Sequence, residues 1–431
     1  MYDFHPYFTN DGSTGLYSPE FNDIYHSASG ALTEACEKFI KPSHIDYLLN
    51  NYQQIKVLDI CYGIGYNTKS LLNYIFEKYD QKFVCSTDYY AQIHTDKAKD
   101  ILSTNSDSIY TDNHKEQSKT NIDTVYTHNK PAEIFIKAID NDENLFCLSP
   151  FIKTGEKDFA KHNLNIPCDK IHKYLTDSSP ADCMKINNLV NYVILDNIVK
   201  QFPQIFANKE INSILSDKNL DCFFENDIRG IYRSLNNQDI HISLLRRLNS
   251  FLHNIYYRHV SNGYKRRLKD SILNDFILDF KCGDARKIIS ADSDKYHLIF
   301  LDAFTPSKCP CLWSLEFFKL LFERMEPDGM LLTYSSSAAV RSAMIEAGFF
   351  IGNIFSPREN KFIGTAAIKN KTFIKYPLSE SDLGLLKTRA GIFYRDPDLN
   401  GQNEAIIKQR NFEVKNSNLQ SSSEYKRVNN L

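Results

Sequence analysis

The chain has 431 residues, 42% of them hydrophobic, and its 51 basic and 53 acidic side chains give a formal net charge of −2. This length allows a large core and the mass of about two to three domains, and the near-neutral charge excludes an overall basic field that would draw the chain to nucleic acid. The cysteines form no C-x-x-C pair, and Cys309 and Cys311 are too close in sequence for a usual zinc spacing, so we expect no metal. No signal-like start and no apolar run of about 18 residues is present, which predicts a cytoplasmic protein with reduced thiols and no membrane contact.

The first predicted strand of the main sheet covers residues 56–60 and leads into a glycine-containing turn. Gly63 and Gly65 allow the backbone there to approach a ligand closely, and helical spacing of apolar residues follows from Asn67 onward. The third glycine of a dinucleotide-binding fingerprint is missing, because a threonine stands in its position, so a dehydrogenase is disfavoured. Asp59, an acid inside the strand, suits S-adenosylmethionine better, since that molecule carries an amino-acid end in place of a pyrophosphate.

Three further strands are predicted to end in acids. They cover residues 133–139, 275–282 and 296–302. Asp140 follows the first of them and could grip a ribose diol, whereas Asp284, next to Ala285, could accept a hydrogen bond from an adenine amino group. Each acid alone could be an ordinary helix cap or a solvated residue. Because ligands bind at the carboxyl edge of open α/β sheets, successive strand ends with glycine or acid favour one shared site for S-adenosylmethionine.

The last of these strands delivers Asp302 into a segment crowded with aromatic residues and prolines. Phe304 and Pro306 follow at once, and Trp313 lies beyond them. This composition indicates a rigid pocket for a flat, partly apolar group. Taken alone, the segment could instead be a helix-capping aspartate before a proline-rich turn.

Two insertions separate the predicted strands. The first, residues 86–131, is rich in polar residues and predicts a mobile loop. The second, residues 146–270, predicts a helical insertion, because apolar residues have helical spacing over 189–202 and 240–273. Its second helical stretch holds a basic cluster with tyrosines between, which includes Arg246, Arg247, Arg266 and Arg267. Such a cluster is either a solvated helix face or a surface that contacts nucleic-acid phosphates.

The C-terminal part of the chain completes an α/β pattern. The predicted elements are helices at 313–325 and 337–348 and strands at 329–334, 349–354 and 362–368. We therefore expect a Rossmann-like, doubly wound sheet over residues 51–145 and 271–410, with an antiparallel last strand. Residues 1–50 would form a prelude over the mouth of the ligand site, and residues 411–431 a flexible tail.

The chain resembles the methyltransferase half of the bifunctional tRNA-modifying protein MnmC and its free-standing relatives. The matching segments run from end to end of the chain and are residues 8–27, 30–34, 58–67, 283–286, 301–306 and 389–401. The resemblance implies a class I S-adenosylmethionine-dependent methyltransferase that methylates the 5-aminomethyl group of a (2-thio)uridine at the tRNA wobble position, giving 5-methylaminomethyl-(2-thio)uridine. The two insertions have no recognised counterpart in the family. A flavin fingerprint is absent, so we expect the methyl-transfer step only, without FAD.

The implied substrate suggests roles for individual residues. An alkylamine has a pKa of about 10 and is protonated near neutral pH, so Asp302 is expected to orient the acceptor amine and take charge as its proton leaves. Tyr62 and Phe304 could flank an extruded base. The other candidates for the substrate pocket are Tyr25, His26, Glu34, Pro306 and Trp313, with a structural role as the alternative for Tyr25 and His26. The expected cofactor-binding residues are Asp59, Gly63, Gly65, Asn67, Asp140, Asp284 and Ala285.

Two other functions fit parts of the sequence. Aminopropyltransferases share the scaffold and the aspartate after the fourth strand, but a cationic polyamine would need more acids around it, and residues 1–50 and 389–401 favour the tRNA hypothesis. A non-catalytic RNA-binding protein could keep the fold, but such a scaffold need not retain Asp302 together with Gly63 and Gly65. The sequence leaves open the oligomeric state, the tRNAs used and the role of the insertions.

Overall fold

The computed structural model describes residues 5–11, 13–18, 23–26, 30–78, 132–142, 145–146, 149, 188–201 and 276–429. The first insertion and the basic cluster with Arg246, Arg247, Arg266 and Arg267 lie outside these residues. Within the described ranges, no helix combines the length and the apolar character that crossing a lipid bilayer requires.

The strands form a small N-terminal sheet and a seven-stranded main sheet. The small antiparallel sheet comprises β1 (His5–Phe8), β2 (Thr14–Ser18) and β3 (Asp23–Ile24). The main sheet comprises β4 (Gln54–Ile60), β5 (Glu133–Asp140), β6 (Phe276–Cys282), β7 (Tyr296–Leu301), β8 (Met325–Thr333), β9 (Phe350–Ser356) and β10 (Lys361–Ile368). Its spatial order is β6-β5-β4-β7-β8-β10-β9, with parallel pairing from β6 to β8 and β10 antiparallel to both neighbours. This is the doubly wound sheet with an antiparallel closing pair that the sequence predicts.

Helices connect the strands and cover the sheet. The α-helices are Ala31–Ala35, Ile45–Asn51, residues 66–78, Asn188–Gln201, Ala285–Ser290, Leu315–Glu323, Ala338–Glu346, Glu380–Leu386, Asn403–Asn416 and Ser422–Val428. A π-helical turn, Cys36–Ile40, extends the first helix, and 3₁₀ turns occur at Pro310–Trp313, Lys371–Phe373 and Arg389–Gly391.

Both faces of the main sheet are buried. All residues of β7 are buried, as is typical of a central parallel strand covered on both sides. Along β4, Ile55 and Val57 join one core, while Leu58 and Ile60 join the other. The first core contains side chains from helices Ile45–Asn51, 66–78 and Asn188–Gln201, and the second from helices Ala285–Ser290, Leu315–Glu323 and Ala338–Glu346. The molecule is thus a three-layer α/β structure.

The helix Asn188–Gln201 of the second insertion is part of this structure. It lies against β6, the edge strand, and its side chains bond the free edge of the β6 backbone. The backbone NH of Leu278 donates to Asn197 Oδ1 at 3.1 Å, and that of Phe280 donates to Gln201 Oε1 at 2.8 Å. Such bonds satisfy groups that would otherwise invite pairing with another chain. This helix therefore covers the sheet edge.

The C-terminal residues are helical, whereas the sequence predicted a flexible tail from residue 411. The hydroxyl of Ser421 caps the last helix by accepting from the NH of Glu424 at 3.1 Å. On the preceding helix, Arg410 donates to the carbonyl of Ile392 at 2.7 Å and lies 4.8 Å from the ring centroid of Tyr394. These contacts to earlier residues of the chain are made by a polar side chain. The segment therefore lacks the apolar periodicity from which a helix is predicted.

Candidate active site

A cavity of about 470 Å³ opens at the carboxyl edge of the main sheet, beside the ends of β4, β5, β6 and β7. The chain leaves β4 and β7 in opposite directions, which makes this crevice the usual ligand-binding position of a doubly wound sheet. Predicted site residues that line it are Tyr25, His26, Glu34, Gly63, Asp140, Asp284, Ala285, Asp302 and Phe304. The N-terminal prelude thus forms one wall of the site.

The turn after β4 is fastened to β5. Cys61 has a φ of 64° and donates its NH to the carbonyl of Ile139 at 2.9 Å. Gly63 has a φ of 56° and donates its NH to Asp140 Oδ2 at 2.8 Å. A Cβ at Gly63 would stand 3.5 Å from the ring of Tyr25, across from it in the cavity wall. Asp140 therefore holds the turn that leaves this part of the cavity open, and burial raises the pKa of its carboxyl group to about 6.

Gly65 is required by packing inside the protein. It has a φ of 80°, and a Cβ there would come within 2.3 Å of the Tyr62 ring and 2.9 Å of Ser149 Oγ. Ser149 Oγ also lies 2.8 Å from the Tyr62 hydroxyl, and its carbonyl accepts from Lys69 Nζ at 2.6 Å. Gly65 does not line the cavity.

Asp59 lies beneath the same turn and is fully buried. Its Oδ2 accepts from the hydroxyl of Thr68 at 2.6 Å, and Oδ1 has no hydrogen-bond partner among the residues that the structure describes. Burial raises the pKa of Asp59 to about 7. Because Asp59 does not reach the cavity, its visible role is to support the helix that starts after the turn.

Asp284 is held by a neighbouring arginine. It caps helix Ala285–Ser290 by accepting from the NH of Arg286 at 2.9 Å, and the Arg286 side chain donates to its Oδ2 at 2.7 Å. The same guanidinium group donates to Asp396 Oδ2 at 2.7 Å and to the carbonyl of Gly401 at 2.9 Å. Although burial acts to raise it, the hydrogen bonds from Arg286 lower the pKa of Asp284. Arg286 thus ties the C-terminal segment to the wall of the cavity.

Asp302 follows β7 and faces the cavity half-buried. Its NH donates to the carbonyl of Ile60 at 3.3 Å, and its Oδ2 accepts from Asn67 Nδ2 at 3.0 Å. Burial raises the pKa of Asp302 to about 7, the negative charge of Glu34 acts in the same direction, and Asn67 and Lys38 oppose it. A carboxyl group in this range can exchange a proton near neutral pH.

Aromatic residues flank Asp302 on the prelude side. The rings of Tyr25 and Phe304 are 5.2 Å apart at an angle of 62°. Tyr334, at the end of β8, donates its hydroxyl to the carbonyl of Ala303 at 2.8 Å and also lines the cavity. Burial lowers the pKa of His26 to about 4, so this ring is neutral near pH 7. The site therefore presents an acid beside a largely apolar aromatic wall.

Some predicted residues do not line the cavity. Tyr62 is buried under the glycine turn and packs against Phe280, with ring centroids 5.6 Å apart, so its ring does not face an extruded base. Trp313 is fully buried and donates its indole NH to the carbonyl of Phe304 at 2.8 Å. Pro306 lies outside the lining, and Asn67 acts through its bond to Asp302.

The cavity also contains residues that the sequence patterns did not indicate. They are Ile24, Cys61, Ile139, Asn141, Gly283, Arg286, Ala303, Thr305, Cys309, Cys311, Leu312, Tyr334 and Asn403. Tyr334 follows β8, so extending the strand-end argument by one strand would have found it. Asn403 belongs to the C-terminal helix that sequence periodicity missed.

Comparison with known proteins shows what the chain is similar to. A family model described as S-adenosyl-L-methionine-dependent methyltransferase matches residues 248–361. An uncharacterized protein of Methanocaldococcus jannaschii is 33% identical over 156 residues, which are 34% of this chain and 44% of that protein. The tRNA 5-methylaminomethyl-2-thiouridine biosynthesis bifunctional protein MnmC of Burkholderia vietnamiensis is 36% identical over 73 residues, 17% of this chain and 11% of that protein. The chain thus spans less than half the length of these relatives.

A solved structure extends the comparison to the whole chain. The crystal structure of MnmC2 from Aquifex aeolicus matches with a TM-score of 0.53 and 18% identity, covering 96% of this chain and 86% of that one. The fold is that of a class I S-adenosylmethionine-dependent methyltransferase. More particularly, the chain is similar to MnmC over a short stretch and to MnmC2 over nearly its whole length, in agreement with the resemblance of the sequence motifs.

The cavity residues fit S-adenosylmethionine as cofactor. Gly63, whose φ of 56° favours glycine, lies beside Tyr25 in the cavity wall, and Asp140, Asp284 and Ala285 stand at the ends of the two adjacent strands. A pocket of several hundred Å³ with an apolar wall and a few fixed polar groups is typical of small-molecule sites.

Proposed function

We propose that this domain transfers a methyl group to the 5-aminomethyl group of a (2-thio)uridine at the wobble position of tRNA, giving 5-methylaminomethyl-(2-thio)uridine. The observation that carries the proposal is Asp302, a half-buried carboxyl group with a pKa near 7 in the same cavity as Glu34. The name of the Burkholderia relative, which refers to 5-methylaminomethyl-2-thiouridine biosynthesis, supports the choice of acceptor. A tRNA substrate also agrees with the expected cytoplasmic location.

The two carboxyl groups suit a cationic acceptor. A primary amine enters as an ammonium ion and cannot attack until it loses a proton. Asp302 can accept a hydrogen bond from this ammonium, orient it and take the proton, because its own pKa lies near 7. Glu34 adds negative charge that attracts the ammonium, and its ion pair with Lys38 fixes the direction of its carboxylate.

Donor binding is assigned to the strand ends next to Asp302. We propose that Gly63, Asp140, Asp284 and Ala285 hold S-adenosylmethionine, which supplies an electrophilic methyl group on a sulfonium. What the protein contributes is mainly positioning and exclusion of water, because in-line displacement needs the two reactants close and aligned. Asn67, by bonding Asp302, fixes the direction from which the amine approaches.

The aromatic wall suits a nucleobase. A wobble base must leave the stack of the anticodon loop before its 5-substituent can reach a buried carboxylate. Tyr25 and Phe304, which meet edge to face, offer a surface for such a base next to Asp302. Arg246, Arg247, Arg266 and Arg267 are proposed to contact tRNA phosphates.

Nucleoside analysis tests this function directly. Purified protein is incubated with labelled S-adenosylmethionine and tRNA that carries 5-aminomethyl-2-thiouridine, and the tRNA is then digested and analysed by mass spectrometry. We expect the label in 5-methylaminomethyl-2-thiouridine and in no other nucleoside. Label in a different nucleoside would refute the acceptor assignment. Transfer to a polyamine, tested with decarboxylated donor and no tRNA, would identify an aminopropyltransferase.

A further inference from the structure

Two thiol groups meet in the wall of the cavity. Cys309 and Cys311 lie on either side of Pro310, where the chain enters the 3₁₀ turn Pro310–Trp313, and their Sγ atoms are 3.7 Å apart. Both residues line the cavity, so a small solute that enters the site reaches them. Sulfur atoms at this distance can form a bond once the turn that carries them tightens, since a disulfide holds its sulfurs about 2.05 Å apart.

We infer that Cys309 and Cys311 are an oxidative modification site, at which a hydroperoxide oxidises the two thiols to a disulfide that deforms the wall of the cofactor cavity. The inference concerns cofactor binding and does not depend on the identity of the methyl acceptor.

The surroundings distinguish the two sulfurs. A hydrogen bond from Cys309 lowers the pKa of the Cys311 thiol, and the positive charge of Arg286 acts in the same direction. The shared hydrogen bond and burial raise the pKa of the Cys309 thiol. Cys311 is therefore the thiol of the pair that loses its proton more readily. The thiolate is the nucleophilic form of cysteine, so Cys311 reacts first.

The reaction balances in two steps. The Cys311 thiolate attacks the outer oxygen of the hydroperoxide, the O–O bond breaks, and an S–O bond forms, which leaves a sulfenic acid and an alkoxide (hydroxide from hydrogen peroxide). This anion takes from water the proton that Cys311 lost on ionisation and becomes the alcohol (or water). The Cys309 sulfur then attacks Cys311 Sγ, the S–S bond forms, and the sulfenic oxygen leaves as water with the Cys309 proton. The two thiols are oxidised to a disulfide, and the hydroperoxide is reduced.

The disulfide would deform the cavity wall. The backbone NH of Cys311 faces Asn403 Oδ1 at 3.4 Å, and Leu312 beside it lines the cavity. Drawing the two sulfurs together across a single residue displaces this wall on the side where Arg286 and Asp284 stand. The oxidised protein should therefore bind adenosyl ligands more weakly, and a dithiol reductant should restore the affinity.

A peptide map combined with calorimetry tests the inference. The protein is treated with hydrogen peroxide, its free thiols are alkylated, and trypsin cleavage after Lys308 and Lys319 releases Cys309 and Cys311 in one peptide with no other cysteine. We expect this peptide to lack two hydrogens and both alkyl groups, and the affinity for S-adenosylhomocysteine to fall about tenfold or more. Dithiothreitol should reverse both changes.

Matched variants assign the effect to this pair. Cys309→Ser should show the same affinity for S-adenosylhomocysteine before and after peroxide, and Cys311→Ala serves the same purpose if the first variant does not fold. Cys282→Ser, which removes an exposed thiol, should lose affinity on oxidation as the parent protein does. The inference is overturned if the peptide stays reduced while other cysteines are oxidised. It is equally overturned if the disulfide forms and the affinity does not change.

Discussion

Asp302 and Asp284 stand at the same edge of the sheet, yet their carboxyl groups are held in opposite electrostatic states. Burial and the charge of Glu34 raise the pKa of Asp302 to about 7, whereas hydrogen bonds from Arg286 outweigh burial and lower that of Asp284. Asp284 is thus a fixed anion bound to the protein, and Asp302 is free to exchange a proton with a ligand. The sequence could identify both acids, but only the three-dimensional neighbours separate their roles.

The pH dependence of methyl transfer should follow Asp302. The reaction needs its ionised form, so at saturating substrates the rate should rise with pH around 7. Glu34→Gln removes a negative charge that raises this pKa, and the midpoint should move to lower pH. Lys38→Met removes an opposing positive charge and should move it to higher pH. Profiles of all three proteins, measured by single-turnover transfer, check the signs, and shifts in the same direction for both variants would contradict the assignment.

The ionisation of Asp59 should affect the free energy of unfolding of the protein rather than ligand binding. Its carboxyl group has a pKa of about 7 in the folded protein, against an ordinary value of 3.8, so the stability it contributes is lost as pH rises through about 7. Asp59→Asn stays neutral, and its free energy of unfolding relative to the parent should increase between pH 5 and pH 8 by on the order of a few kcal/mol. Urea denaturation at both pH values measures this. Asp284→Asn, whose parent carboxyl pKa is lowered, should show no such increase, and a pH-independent difference for Asp59→Asn would refute the account.

Among the secondary-structure elements, the strands of the main sheet could be predicted from the sequence, whereas the C-terminal helices could not. The strands of the main sheet contain short apolar runs, although β8 begins with the polar residues Glu326 and Asp328, and β7, buried on both faces, is apolar almost throughout. Helix Asn403–Asn416 buries only Ile406 among its residues, so it has no apolar face to detect. The need for glycine at position 65 was also predictable, but its cause, the ring of Tyr62, depends on packing that the sequence does not display.

The two glycines of the turn should respond differently to alanine. Both have positive φ, so each substitution should cost about 1–2 kcal/mol in backbone strain. Gly65→Ala also collides with Tyr62 and should lose about 1–3 kcal/mol more. The methyl group added by Gly63→Ala would lie at an ordinary distance of 3.5 Å from the ring of Tyr25. Because Gly63 lines the cavity, this methyl group should weaken the binding of S-adenosylhomocysteine. Thermal unfolding and calorimetry separate the two effects, and equal stability losses would count against the packing explanation.

For the whole molecule, the net charge of −2 means that the proposed tRNA substrate would have to be held by local features. The described edge of the sheet supplies acids and aromatic residues for the acceptor, and the sequence places a basic cluster in the second insertion. Apolar spacing predicted the helix Asn188–Gln201 correctly, whereas the arginines of residues 246–267 lie outside the described residues.

Reversing the charge of the basic cluster should weaken tRNA binding and leave cofactor binding unchanged. Changing Arg246, Arg247, Arg266 and Arg267 to glutamate should weaken tRNA binding and reduce the slope of log affinity against log salt by roughly 0.7–0.9 for each phosphate that the variant no longer neutralises. Binding of S-adenosylhomocysteine, measured by calorimetry, is the control and should stay as in the parent. If the variant binds tRNA as tightly as the parent protein at both low and high salt, the basic cluster is merely solvated.

The most direct test of the account is the single-turnover rate of methyl transfer to 5-aminomethyl-2-thiouridine in tRNA, compared between the parent protein and Asp302→Asn. Asparagine keeps the shape and a hydrogen-bond acceptor but lacks the charge and cannot take the proton. We predict a loss of about a hundred- to ten-thousand-fold, partly recovered at higher pH where more of the amine is already deprotonated. A variant that methylates this tRNA as fast as the parent protein would contradict the central role given to Asp302.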